Sequence, residues 1–137
     1  MAAENAPFVE FAEDAPIVLG TVTGSRMLEG AVVADFGSCV LDYLAKSSVA
    51  NLLLNFENVT YLASSALSEL IRINDAVVAA GGTLRVCGLS ERIHQVFEIA
   101  NFTKILEIQG GETPEHAAIR FKRSIGLAAE EDAWEEK

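Results

Sequence analysis

The sequence is poor in the residues that build metal sites and disulfide frameworks. Its 137 residues include two cysteines, two histidines and one tryptophan. Cys39 and Cys87 sit far apart among apolar neighbours, with no C-x-x-C and no Cys/His cluster, so buried free thiols are expected. His94 and His116 each lack a second ligand at helical spacing, which leaves no metal site to expect. No apolar run approaches the roughly 18 residues of a membrane span. The start, M-A-A-E-N-A-P, lacks the basic and then apolar order of a secretory signal, and a cytoplasmic location is expected. Bases are scarce as well: ten Lys and Arg stand against 20 Asp and Glu. A direct nucleic-acid surface, which needs clustered Lys and Arg, is therefore not expected.

Catalytic signatures are equally thin. Ser64 is not in G-x-S-x-G, because Leu62 and Ala66 hold the glycine positions, and no histidine stands near it in sequence. Gly81-Gly82-Thr83 is followed by Leu84 rather than by Lys-Ser/Thr, so it reads as a helix stop and not a phosphate loop. Asp35 and Asp42 read as the solvated side of a helix. The chain is expected not to be an enzyme and to carry no cofactor.

What is present is an ordinary core-forming chain, 50% hydrophobic and 22% charged, of one-domain length. The formal charge of −10 is concentrated at the ends: residues 1–14 carry four acids and no base, and residues 128–137 five acids and one lysine. Setting aside −4 at each end leaves the middle at −2. The organisation expected is an acidic segment 1–14, a domain 15–127 and an acidic tail 128–137, with both ends dispensable for folding. Trp134 is the one tail residue suited to docking on the domain.

Along the chain, residues 7–11 form a short candidate edge strand and Ile17 to Thr23 a better one. Val32, Phe36, Cys39, Val40, Tyr43 and Leu44 recur at three- and four-residue spacing, which marks a one-sided helix. N-L-L-L-N-F, Asn51 to Phe56, is short and apolar enough for a buried strand. Val59 to Leu62 extends again, and a long helix starts at Ser64 or Ser65, with Leu67, Leu70, Ile71, Val77 and Val78 on one face. Thr83 to Cys87 is a strand. Ser90 caps a helix lined by Ile93, Val96, Phe97 and Ala100, and a weak strand spans residues 105–108. The final helix opens on Thr113-Pro114-Glu115, with Lys122 and Arg123 near its end and Gly126 as its stop. Strands alternating with helices imply an α/β domain with a mixed, largely parallel sheet of about five strands and about four helices.

The stretch N-L-L-L-N-F-E-N-V-T-Y-L-A-S-S-A-L-S-E-L resembles the STAS domain, the family of anti-sigma factor antagonists, whose pattern is an apolar strand, D-L-S-x-V-x-x-I-D-S-S/T-G-L and a long helix. Ala80 to Val86, Gly88-Leu89-Ser90 and Val96 to Phe102 resemble the family too, and the match in element order runs from about Ile17 to Ile125. The resemblance implies a non-enzymatic regulator that binds an anti-sigma factor serine kinase, or another STAS protein, and is switched by phosphorylation. Carried over residue by residue, the acceptor is Ser64, with Ser65 as second candidate and an equally placed helix cap. The partner surface comprises Asn55, Glu57, Ala63, Ser64, Ser65, Ala66, Ser68, Glu69 and Arg72. A dimer is compatible with this reading.

Three positions depart from the pattern. Asn55 stands where the family has the strand-end aspartate, Ala63 where it has the aspartate before the acceptor, and Ala66 where it has glycine. The alternative that follows is a diverged STAS scaffold, stressosome-like or ligand-binding, that is not phosphorylated. An enzyme using Ser64 is the outlying third reading.

Overall fold

The computed structural model describes residues 8–109 and 113–135, with side chains as far as Gly126. In chain order the elements are β1 (Val9–Asp14), β2 (Ile17–Val22), β3 (Met27–Leu28), α1 (Ala31–Lys46), β4 (Asn51–Asn55), β5 (Tyr61–Leu62), α2 (Ser64–Ala79), β6 (Leu84–Cys87), α3 (Glu91–Ile99), a 3-10 turn (Phe102–Lys104), β7 (Glu107–Ile108) and α4 (Pro114–Glu135). Five strands form one sheet in the order β1-β2-β4-β6-β7, in which only the β1–β2 pair is antiparallel. The expected mixed sheet and four helices are present.

The period of two along each strand divides the core. Leu52 and Leu54 of β4 face one side with Val18 and Val22 of β2 and Leu84 and Val86 of β6. There they meet Phe36 and Val40 of α1, Leu70, Ile73 and Val77 of α2, and Ile93 and Phe97 of α3. Ile17, Leu53 and Cys87 point to the opposite face, where α4 covers them with Ala117 and Phe121. Because β4 is buried on both faces, its Leu52-Leu53-Leu54 reads as a continuous apolar run, as central parallel strands do.

Three expectations change. Residues 9–14 are part of the sheet rather than a solvated segment, since Val9–Asp14 pairs with β2 along all six residues and Val9 is fully buried. Its alternation of Val9 and Phe11 with acids is an edge-strand pattern: Phe11 stacks on Tyr43 at 3.9 Å, and Glu13 accepts a 2.6 Å hydrogen bond from the Tyr43 hydroxyl. Gly126 does not stop α4, whose backbone stays helical to Glu135. A glycine inside a helix costs about 1 kcal/mol relative to alanine, which the helix formers after it offset. The side chain of Trp134 lies outside the described residues. Finally, the buried face of α2 is Ala66, Glu69, Leu70, Ile73 and Val77, while Ile71 and Val78 are exposed. The three-four spacing from Ala66 through Leu70, Ile73 and Val77 was masked by equally apolar residues one position along.

Candidate functional site at the start of α2

The chain reaches α2 through a tightly bonded corner. At the end of β4, Asn55 is 1% exposed; its Oδ1 accepts from the Glu57 backbone N–H at 3.1 Å, and its Nδ2 donates to Glu57 Oε1 at 3.1 Å. The same amide reaches Thr21 Oγ1 at 3.5 Å, the limit of a hydrogen bond. Gly88 (φ +70°) passes over this corner, and a Cβ there would overlap Asn55 Oδ1, so a side chain is excluded both by backbone conformation and by contact. After the turn, β5 pairs in parallel with β3, Met27 opposite Tyr61 and Leu28 opposite Leu62, and the Ala63 N–H donates to Leu28 O at 2.9 Å. Ala63 is thereby held extended (φ −77°, ψ 162°) as the residue that precedes the helix.

Ala63, not a serine, therefore occupies the cap position, and it has no side-chain oxygen to bond the first-turn N–H groups. Capping by Ser64 or Ser65 is corrected: both lie inside the first turn, both are exposed, and neither hydroxyl has a hydrogen-bond partner among the described residues. The other two caps are as expected. Ser90 Oγ accepts from Ile93 N at 3.2 Å, and Thr113 Oγ1 accepts from His116 N at 3.1 Å. The sequence thus uses hydroxyl caps where the chain needs them and leaves the α2 hydroxyls unused.

Of the nine residues expected on the partner surface, three are buried: Asn55, Ala66 (0% exposed) and Glu69 (9%). They shape the site from beneath. Ala66 packs in the core, so its methyl faces inward. Glu69 lies across Gly37 of α1, its carboxylate where a Cβ of residue 37 would be, and accepts from Arg72 Nη1 at 2.9 and 3.2 Å. Glu57, Ser64, Ser65, Ser68 and Arg72 are exposed and Ala63 half-buried. Ser64, Ser68 and Arg72 recur every fourth residue and so form one stripe along the helix.

Sequence reasoning missed the apolar part of this surface. Met27 (45% exposed) and Tyr61 (42%) are opposite one another across the β3–β5 pair. Ile71 adds a third exposed apolar side chain farther along α2. A two-residue strand is too short to show alternation, so Met27 carries no signal in the sequence. The usable signal was Tyr61, a large aromatic three residues before the serines.

Nothing in this arrangement activates a nucleophile. No hydrogen bond joins an α2 serine to a histidine or carboxylate among the described residues, and His94 instead lies 3.2 Å from Glu98 on α3. Cys87 behaves as a core residue: burial first, then the charges of Glu57 and Glu115, push its thiol up to about 12. Such a group stays protonated near neutrality and is inert.

The comparisons with known proteins agree on the fold. An anti-sigma factor antagonist assignment from Thermotoga maritima superposes with a TM-score of 0.71 at 16% identity, covering 88% of this chain and 99% of that one. A STAS domain protein from Planctomyces limnophilus gives 0.71 at 15% identity over 82% and 96% of the two chains. The anti-sigma factor antagonist SpoIIAA in its unphosphorylated form gives 0.62 at 16% identity, again over 82% and 96%. Identities this low establish shared architecture alone. The STAS domain family model matches residues 17–117, nearly three-quarters of the sequence. The chain belongs to the STAS domain family.

Proposed function

We propose that the protein is a non-enzymatic regulator of the anti-sigma factor antagonist kind, which binds an anti-sigma serine kinase through the start of α2 and is switched by phosphorylation of Ser64. The observation that carries this reading is the pair of exposed, unbonded hydroxyls in a first helical turn whose cap residue is an alanine. A phosphate on Ser64 would sit among first-turn N–H groups at the positive end of the helix dipole, so it would leave the scaffold folded. It would add about −1.5 to −2 charges beside Ser68 and the exposed Met27–Tyr61 pair, enough to expel an acidic or apolar partner surface. The test is phosphate transfer from an anti-sigma-type serine kinase of the same genome, with Ser64→Ala as blank. Ser64-dependent incorporation supports the switch.

One observation favours the second reading, a STAS scaffold that binds without being phosphorylated. The Asn55 amide donates to Glu57, a bond that an aspartate at position 55 would not make. The chain thus carries a donor where the family pattern it resembles has a carboxylate, and that donor is engaged. On that reading the kinase or a second STAS protein binds the same surface, and no label is incorporated.

A further inference from the structure

The readily oxidised sulfur groups of this chain are two cysteines and two methionines, and the structure separates them by access. Cys87 is buried in the sheet with its thiol pushed up to about 12, so near neutrality it offers almost no thiolate to an oxidant. Cys39 is half-buried on α1. Met27 is 45% exposed, and Met1 lies outside the described residues. A thioether has no proton to lose, so its oxidation is governed by access rather than by pH. Met27 is also held where a change of polarity matters. Its neighbours in the β3–β5 pair, Leu28 and Leu62, turn into the core, and the pleat therefore turns Met27 and Tyr61 outward together. Ser25 closes the backbone at this point, its Oγ accepting from the Met27 N–H at 3.1 Å and donating to the Met27 carbonyl at 3.0 Å. None of these bonds uses the thioether, so the side chain can change chemically while its place on the surface is kept. Tyr61, opposite it, stands three residues before Ser64.

We propose that Met27 is a redox modification site: an oxygen donor of the peroxide class converts it to the sulfoxide, and the sulfoxide weakens partner binding at this surface. A lone pair of Sδ takes one oxygen of hydrogen peroxide as the O–O bond breaks. Sulfur is oxidised by two electrons, and the other oxygen leaves as water with both protons. The product replaces a flexible apolar side chain by a polar one with a strong acceptor, which opposes binding wherever a partner covers it without a donor. Loss of binding rests on the partner surface proposed above, whereas the oxidation itself does not.

The test treats the full chain with hydrogen peroxide at about pH 5, where thiols are protonated, and maps the products by peptide mass. One added oxygen on the Met27 peptide is expected, with Cys87 still a free thiol and amide shift changes confined to the β3–β5 pair and the start of α2. Calorimetric titration of an anti-sigma-type serine kinase should then find the oxidised protein at least about tenfold weaker than the untreated one. The two methionine sulfoxide reductases, one for each epimer, should restore the affinity with dithiothreitol as reductant. Met27→Leu, whatever its starting affinity, should lose none of it on the same treatment. A Met27 peptide that stays unmodified in the folded protein overturns the site. Oxidation of Met27 with no loss of affinity, or an equal loss in Met27→Leu, overturns its role. An untreated protein that does not bind the kinase overturns the partner reading and the effect on binding with it, while the peptide map decides the modification site by itself.

Discussion

Gly37 and Glu69 form the tightest fit between α1 and α2, because the carboxylate of one rests on the backbone of the other. Gly37→Ala forces Glu69 out of its place over α1 and away from Arg72, and it should cost about 1–3 kcal/mol. Glu69→Ala in the same chain should restore most of that loss, a coupling measured by denaturant unfolding in a double-mutant cycle. A second prediction concerns Asn55→Asp, which would set a buried carboxylate 3.1 Å from that of Glu57, where the amide now donates. Burial and the like charge would raise the pKa of the new acid above its unfolded value of about 3.9. The folded state then holds its proton longer, so the variant loses stability relative to wild type as pH rises from about 4 through the raised value. Urea midpoints at pH 4 and pH 7 should diverge, by an amount equivalent to about 1–3 kcal/mol. The same logic applies to Cys87, whose thiol is pushed up to about 12 from 9.0. Its contribution to stability is complete below pH 9 and falls as pH rises towards about 12, and its alkylation near neutrality should proceed only as fast as the structure opens. In sequence, Asn55 shows only as a missing acid. Its role as a donor depends on Glu57 folding back, which no spacing rule reveals.

At the scale of elements, the structure separates hydroxyls that cap from hydroxyls that do not. Ser90→Ala and Thr113→Ala should each cost about 1 kcal/mol, since each removes an acceptor for a first-turn N–H. Ser64→Ala and Ser65→Ala should each change stability by less than about 0.5 kcal/mol, as surface substitutions do. Thermal unfolding of the four variants checks this directly. Removal of residues 1–14 should abolish cooperative folding or lower the melting temperature by well over 5 °C (one kcal/mol moves it by about 2–8 °C in domains of 60–250 residues), because it strips a paired strand and the buried Val9. Elements announced by local chemistry were legible in the sequence. Thr113-Pro114 opens α4, and Gly81-Gly82 closes α2 with Gly81 at φ +84° and the Gly82 N–H bonded to Val77 O at 2.9 Å. Elements defined by a distant partner were legible only in part. β3 exists because Tyr61 and Leu62 come alongside it, and β1, expected as an edge strand over residues 7–11, runs on to Asp14 because β2 is turned back against it. Acids at Glu10, Glu13 and Asp14 made β1 look like a tail, whereas charges on an exposed edge also blunt its pairing with other chains.

For the molecule as a whole, the alternation of Leu52, Leu53 and Leu54 across the sheet assigns three helices to one face and α4 to the other. The proposed regulatory surface stands at the strand-end edge of the three-helix face, where a rigid sheet presents loops and a helix start. Its composition is narrower than the sequence pattern implies, since Asn55, Ala66 and Glu69 support it from below. It is also more apolar, since Met27 and Tyr61 belong to it. A shared fold does not fix function, so the surface must be tested on its own terms. The most direct measurement is calorimetric titration of an anti-sigma-type serine kinase with the wild type and with Ser64→Glu, both checked for equal melting temperature. The account predicts that wild type binds and that Ser64→Glu binds at least about tenfold more weakly, a loss of about 1.4 kcal/mol, with its fold intact. Equal binding by the two proteins would place the interface elsewhere and contradict the account.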